Sequence, residues 1–131
     1  MAKNETQPTA AEWEILEVLW SRGPSTVREV YEYLAKDTGY TTALKLLQIM
    51  TDKGFVKREE SGRAHIYRAA LDQQNTRGSL VKRLLRQAFG GSTAKLVMSA
   101  LSAKPASADE LAEIRRLLDD LDRPSAKKPK K

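Results

Sequence analysis

Tyr40-Thr41-Thr42-Ala43-Leu44-Lys45-Leu46-Leu47-Gln48-Ile49-Met50-Thr51-Asp52-Lys53-Gly54 is the stretch on which the fold turns. It reads as one helix with marked ends. Thr41 or Thr42 can cap its N-terminus by accepting from a free backbone N–H. Gly54 stands where a helix C-terminus takes a residue that tolerates positive φ. Ala43, Leu47 and Met50 fall at i, i+4 and i+7, a buried stripe with Leu46 beside it. Thr42, Lys45 and Gln48 lie on another face, whose small, amide and cationic groups are of kinds that bond phosphate oxygens and base edges. Leu44 and Ile49 are expected to point away from the buried stripe. On this helix alone, a solvated polar face is the commoner explanation. The neighbouring segments must therefore decide between a solvated helix and a recognition helix for duplex DNA.

Downstream of Gly54 the period changes from helical to alternating. Phe55 to Glu60 reads as a strand, Ser61-Gly62 as a turn and Arg63 to Ala69 as the returning strand. Lys57 and Arg58 on one arm and Arg63 at the tip make this hairpin basic. An isolated hairpin is marginal in water, so it must pack on helices, with Val56 and Tyr67 as the expected anchors. Upstream, Thr9-Ala10-Ala11-Glu12 is a capping box, Thr followed by Glu three residues on. The helix it opens should bury Trp13, Ile15, Leu16, Leu19 and Trp20, with Glu12, Glu14 and Glu17 near its start or on its exposed side. Gly23-Pro24 stops it. Ser25 or Thr26 caps a second helix, Glu29 completing a box for Thr26, and Val27, Val30, Tyr31 and Leu34 supply its apolar face. Asp37-Thr38-Gly39 should end it. Three short helices followed by a basic hairpin match a winged helix-turn-helix.

The totals suit one small domain or a small domain with an added arm: 131 residues, 40% apolar and 31% charged. There is no signal-peptide pattern and no apolar run long enough for membrane insertion, so a cytoplasmic chain is expected. The net charge of +6 is unevenly spread. Residues 1–70 carry ten Lys/Arg and ten Asp/Glu, and the segment 124–131 carries four lysines and no acid. Within the first 70 residues, positions 1–44 have four bases against seven acids, and positions 45–70 have six against three. The basic half begins at the candidate recognition helix and runs through the hairpin. It is such local patches that attract a phosphate backbone.

Beyond residue 70 the helical period returns. Leu80, Val81, Leu84, Leu85, Ala88 and Phe89 recur four apart, and Gly90-Gly91 breaks the helix. Ser92 can cap a second piece carrying Leu96, Val97, Ala100 and Leu101. Ser107-Ala108-Asp109-Glu110 is a further capping box, opening a helix with Leu111, Ile114, Leu117, Leu118 and Leu121. These helices carry more apolar surface than they can cover alone. Either they pack together as an intramolecular tail, or they pair with a second copy through Leu84, Leu85, Phe89, Leu96, Val97, Leu111, Ile114, Leu117 and Leu118. Pairing would present two recognition helices about one DNA turn apart, ~34 Å. Residues 123–131 read as a disordered Pro/Lys tail.

Cysteine is absent, which excludes disulfides, thiolate metal sites and cysteine nucleophiles. His65 is the only histidine and reads as a wing residue. No metal-spaced cluster and no phosphate-cradling glycine loop is present, so no cofactor and no catalytic site are expected. Three functions remain: a sequence-specific repressor, an architectural DNA binder that ignores sequence, and a winged helix used as a protein adaptor. The neutral balance of residues 1–70 argues against the second.

The quoted segments together resemble the DNA-binding domain of the penicillinase repressor family (BlaI/MecI type). The resemblance rests on Thr9 to Trp20, Gly23 to Val27, Tyr40-Thr41-Thr42-Ala43, Lys53-Gly54-Phe55-Val56 and Gly62 to Tyr67. It extends into the arm through Phe89 to Ser92, Leu96-Val97 and Ser107 to Leu111. It implies residues 1–70 as a winged-helix domain, 71–122 as a helical dimerisation region, and a homodimeric repressor on a palindromic operator. By position it implies DNA contacts from Thr41, Thr42, Lys45 and Gln48, and from Arg63 in the wing. Copper-responsive relatives carry a cysteine cluster that this chain lacks. In the β-lactam-responsive branch a membrane sensor metallopeptidase leads to cleavage in the dimerisation region. The corresponding segment here is Met98-Ser99-Ala100-Leu101, without the Asn-Phe pair of that site, so Ser99 and Ala100 are its candidate cleavage residues.

Overall fold

The computed structural model describes residues 7–34 and 37–123. The reading of the lysine segment 124–131 lies outside the described residues. The elements run α1 (Ala10–Arg22), α2 (Val27–Tyr33), α3 (Tyr40–Lys53), β1 (Val56–Ser61), β2 (Ala64–Ala69), α4 (Gln73–Ala88), α5 (Thr93–Ala103) and α6 (Ala108–Asp122). The chain divides into two compact units, Met1–Lys82 and Arg83–Lys131.

The first unit is a three-helix cluster closed by a hairpin. Ile15, Leu16 and Leu19 of α1, Val27 and Val30 of α2, and Leu47 and Met50 of α3 form its core with Phe55, Val56 and Tyr67. The capping boxes at Thr9/Glu12 and Thr26/Glu29 both form, each hydroxyl accepting from the N3 backbone while the glutamate accepts from the cap. Ser25, the other candidate cap, does something else. Its backbone pairs with β2, Ser25 N–H donating to Tyr67 at 2.9 Å and Tyr67 N–H donating back at 2.8 Å. That bridge and the buried side chains of Val56 and Tyr67 fasten the hairpin to the helices.

Several expectations are corrected. Trp13 and Trp20 are half-buried rather than core, because each indole N–H must reach an acceptor. Trp13 donates to Glu17 at 2.9 Å and Trp20 to the Leu71 carbonyl at 3.0 Å. Val18 takes a core position instead. Helix α2 stops at Tyr33, before Asp37, and the extended Leu34 packs on the core. No side chain caps α3. Gly39 is its N-cap residue, and Thr41 and Thr42 lie inside the first turn. Leu44 turns inward onto the core, as its place three residues before Leu47 allows, while Ile49 is half-buried.

The largest correction concerns Glu12. It is 2% exposed, not solvated. One carboxylate oxygen accepts from Thr9 N–H at 2.9 Å and the other from Lys53 Nζ at 2.8 Å. The first turn of α1 is thereby bound to the last turn of α3. Immediately after Lys53, Gly54 adopts φ 86°, ψ 12°, and its N–H caps the Met50 and Thr51 carbonyls. That left-handed geometry costs an L side chain about 1–2 kcal/mol, and it redirects the chain into β1.

In the second unit, Gly91 N–H bonds the Leu85 carbonyl at 2.8 Å and closes α4. Ser92 caps α5, and Ser107 with Glu110 forms the box that opens α6. Neither α5 nor α6 has a buried residue.

Removing Lys53 should leave the Glu12 carboxylate buried without its cation. Lys53→Met is expected to cost about 2–3 kcal/mol, below the full cost of breaking a buried pair because the Lys53 side chain is partly exposed. Glu12→Gln should cost less, since an amide can keep the capping box. Urea unfolding monitored by circular dichroism reads both. Equal midpoints for Lys53→Met and wild type would rule out this role for the pair.

Candidate nucleic-acid interface

With Ala43, Leu47 and Met50 wholly buried, the rotation of α3 about its axis is set by the core. Thr41, Lys45 and Gln48 then share one exposed ridge, at i, i+4 and i+7, with exposed Thr42 beside it. Because Leu44 has turned inward, this face is more polar than the sequence suggested. Asp52 continues the same ridge at the C-terminal end. A carboxylate there repels phosphate, so only the N-terminal part of the ridge suits an anionic partner.

The hairpin runs antiparallel with Val56 opposite Ala69, Lys57 opposite Arg68, Arg58 opposite Tyr67 and Glu60 opposite His65. Val56 and Tyr67 share the face that meets the core. Lys57 and Arg68 share the opposite face, two cations directly across the ladder, where like charges are unfavourable. Glu59 offsets them by pairing with Arg68 at 2.8 Å. Arg63 follows Gly62 in the turn at the tip and is exposed. His65 is also exposed, on β2. All five candidate DNA-facing residues, Thr41, Thr42, Lys45, Gln48 and Arg63, are therefore solvent-facing members of the first unit. Four are gathered on one helix and the fifth stands on the hairpin.

A profile of the family described as Penicillinase repressor matches residues 8–120, spanning helices, wing and arm. The chain belongs to the penicillinase repressor family. It is 30% identical over 118 residues to the transcriptional regulator BlaI of Mycobacterium tuberculosis, covering 88% of this chain and 85% of that protein. It is 22% identical to the methicillin resistance regulatory protein MecI of Staphylococcus aureus, over 85% of this chain and 92% of that one. It is 21% identical to the penicillinase repressor of Staphylococcus aureus, over 92% and 98%. The solved structure of the transcriptional regulator Tm0710 from Thermotoga maritima shares the fold, with a TM-score of 0.51 at 19% identity over 88% of this chain and 74% of that chain. As a family member the chain is a DNA-binding transcriptional repressor and not an enzyme. Among the described residues, no helix is long and apolar enough to cross a membrane.

Two groups beside this surface escaped the sequence reading. The first is the Glu12–Lys53 pair, which anchors the far end of α3. A capping-box glutamate is ordinarily solvated, and nothing in the local sequence marks its partner 41 residues away. The second is a cluster at the near end of α3. Tyr40 packs edge-on against Tyr31 with centroids 5.7 Å apart, and the Arg28 guanidinium lies 5.5 Å from the Tyr40 ring centroid. The spacing of Arg28 and Tyr31, three apart on α2, could have suggested that they share a face.

The candidate dimerisation residues fall into two groups. Leu84, Val97, Leu117 and Leu118 are 40–57% exposed. Leu85, Phe89, Leu96, Leu111 and Ile114 are half-buried. Met98 and Leu121, not among the candidates, are more exposed still, at 60% and 73%. Ser99 and Ala100 lie exposed in the middle of α5.

The Glu59–Arg68 pair is about half exposed on both sides, so it adds little stability. Glu59→Gln should change the unfolding free energy by less than about 0.5 kcal/mol. It should also raise affinity for any duplex by removing an acid beside Lys57 and releasing Arg68. Titration of a fluorescent duplex at several salt concentrations tests this, and an unchanged or weaker affinity would count against the wing as a phosphate-facing element.

Proposed function

We propose that this repressor binds a palindromic operator as a homodimer, each protomer reading one half-site with α3 and its wing. Thr41, Thr42, Lys45 and Gln48 face the major groove, and Arg63 the adjacent backbone. The observation that carries this reading is the exposed polar ridge of α3, held in one rotation by a fully buried opposite stripe. Family membership supports its use on DNA. Lys45 can donate to guanine or phosphate oxygens, and Gln48 can bond adenine through both ends of its amide. The two threonines offer shorter, less selective contacts.

On this reading residues 1–70 form the DNA-binding domain and residues 71–122 the dimerisation region. The apolar positions that stay exposed on α4, α5 and α6 support this assignment, because a second copy would remove them from water. Relief of repression by proteolysis follows from the same arrangement. A cut near Ser99 and Ala100 separates α6 from the rest of the chain, and the operator complex falls to the affinity of a single protomer. Since these residues lie within α5, a protease must first unwind the helix. With no buried residue, α5 opens at modest cost. The signal would reach the chain through a membrane sensor metallopeptidase or a protease downstream of it.

Footprinting on the DNA upstream of the chain's own coding sequence should reveal a protected palindrome. Lys45→Ala combined with Gln48→Ala should weaken binding to that site by about 2–4 kcal/mol while leaving the thermal melt unchanged, given about 1–3 kcal/mol of discrimination per good base contact. If random DNA loses as much affinity as the palindrome, Gln48 does not read bases. Uniform protection along the fragment would instead favour an architectural binder.

Leu117→Asp places a carboxylate in the apolar seam, where it is unpartnered and costly. The variant should sediment as a monomer, and a chain ending at Ser99 should do the same and lose the operator. A tight dimer of Leu117→Asp removes Leu117 from the interface. A truncated chain that holds the operator as firmly as the full one rules out induction by cleavage.

A further inference from the structure

Arg28 is a cation in the wrong place for stability. It is the second residue of α2, where the helix dipole favours an anion. It lies in the acidic part of the chain and, among the described residues, makes no ion pair, although Glu32 follows one turn later on the same helix. Its position is nevertheless tightly specified. Val27 and Val30 are buried on either side of it, so α2 can turn Arg28 only outward. Tyr40, 42% exposed, rests its edge against Tyr31 and lies beside the guanidinium. The aromatic pair thus orders Arg28 without consuming any of its five N–H donors. Tyr40 directly precedes Thr41, where the exposed ridge of α3 begins.

We infer that Arg28 binds a phosphodiester group of the DNA backbone at the edge of the groove entered by α3, with Tyr40 as the residue that positions it. This rests on the DNA-reading assignment of α3 and extends it to a site on the preceding helix. In helix-turn-helix proteins that helix crosses the backbone, so a cation projecting from it beside the start of α3 meets phosphate rather than a base edge. A planar guanidinium suits two phosphate oxygens at once. Because the guanidinium already lies 5.5 Å from the Tyr40 ring centroid, within cation–π range, less ordering is needed on binding. Such a contact carries no sequence information. It sets how deeply and at what angle α3 sits, and so lets the few base-reading groups of this helix act.

The test measures the full chain on the footprinted duplex and on a scrambled duplex, across a range of potassium chloride concentrations. Arg28→Ala and Arg28→Gln should each weaken binding about tenfold on both duplexes and flatten the plot of log affinity against log salt by about one unit. Both should melt like wild type, since Arg28 is exposed. Tyr40→Leu should give a smaller loss with the salt slope retained, because the cation persists without its stack. Tyr40→Phe should behave as wild type. If wild type binds while Arg28→Ala and Arg28→Gln bind within twofold of it at an unchanged slope, the phosphate contact does not exist. If Tyr40→Leu binds like wild type, Tyr40 has no positioning role. Failure of wild type to bind either duplex at low salt would overturn the repressor reading itself, a different result from the loss of one contact.

Discussion

The carboxylate of Glu12 takes an N–H from Thr9 and the ammonium of Lys53 while almost wholly removed from water. It is the constraint on which the first unit depends. A buried charge is tolerated only when its lone pairs are occupied, and here the N-cap residue of α1 and one residue of α3 occupy them. The pair ties the start of the first helix to the end of the third. Gly54 then turns the chain into the hairpin, and the Ser25–Tyr67 bridge returns the hairpin to the start of α2. Each helix of the unit is thus held at an end as well as through the core. The exposed ridge of α3 inherits its orientation from this frame.

That orientation matters because the ridge is chemically sparse. Two threonines, one lysine and one glutamine are a short list of base-reading groups, and Asp52 closes the far end of the ridge. A surface of this kind cannot rely on many strong base contacts. On the proposed DNA-reading role, discrimination would come from the rigidity with which a few groups are presented, and from the energy of fitting backbone and groove to the wing and to the helix ahead of it. The cations proposed to meet the backbone are dispersed over α2, α3 and the hairpin, elements that pack together in the first unit.

The arm follows a different logic. Its helices are strongly specified by local signals: Ser92 caps α5, Ser107 and Glu110 open α6, and Gly90-Gly91 separates α4 from α5. Yet local capping does nothing to cover Leu117, Leu118 and Leu121, which remain more than half exposed. Elements that are well formed and poorly buried are compatible with the proposed completion of this region by a second copy. Low burial in α5 is compatible with the proposed cleavage there, since a segment with few apolar contacts unwinds more readily than one in a core.

Much of this was legible in the linear chain, and the reason is locality. Capping boxes act over three residues, and the apolar stripe of α3 repeats every turn. The change of period after Gly54 announces the hairpin, with Val56 and Tyr67 as its anchors. These features, with the family-typical segments around Thr9, Tyr40 and Gly62, determine a winged helix-turn-helix and its exposed polar ridge. What tertiary structure alone decided joins residues far apart in sequence. Glu12 reads as a solvated cap until Lys53 arrives over it. Leu44 reads as an outward apolar residue until the core is seen to wrap around that side of α3. Ser25 reads as a possible helix cap until its backbone pairs with Tyr67. Arg28 reads as part of an acidic segment until Tyr31 and Tyr40 are seen to bring it beside the first turn of α3. Local rules set which residues share a helix face or a strand. The partner each face meets depends on packing between distant segments, because buried charge and open apolar surface must be satisfied wherever the chain brings a partner near.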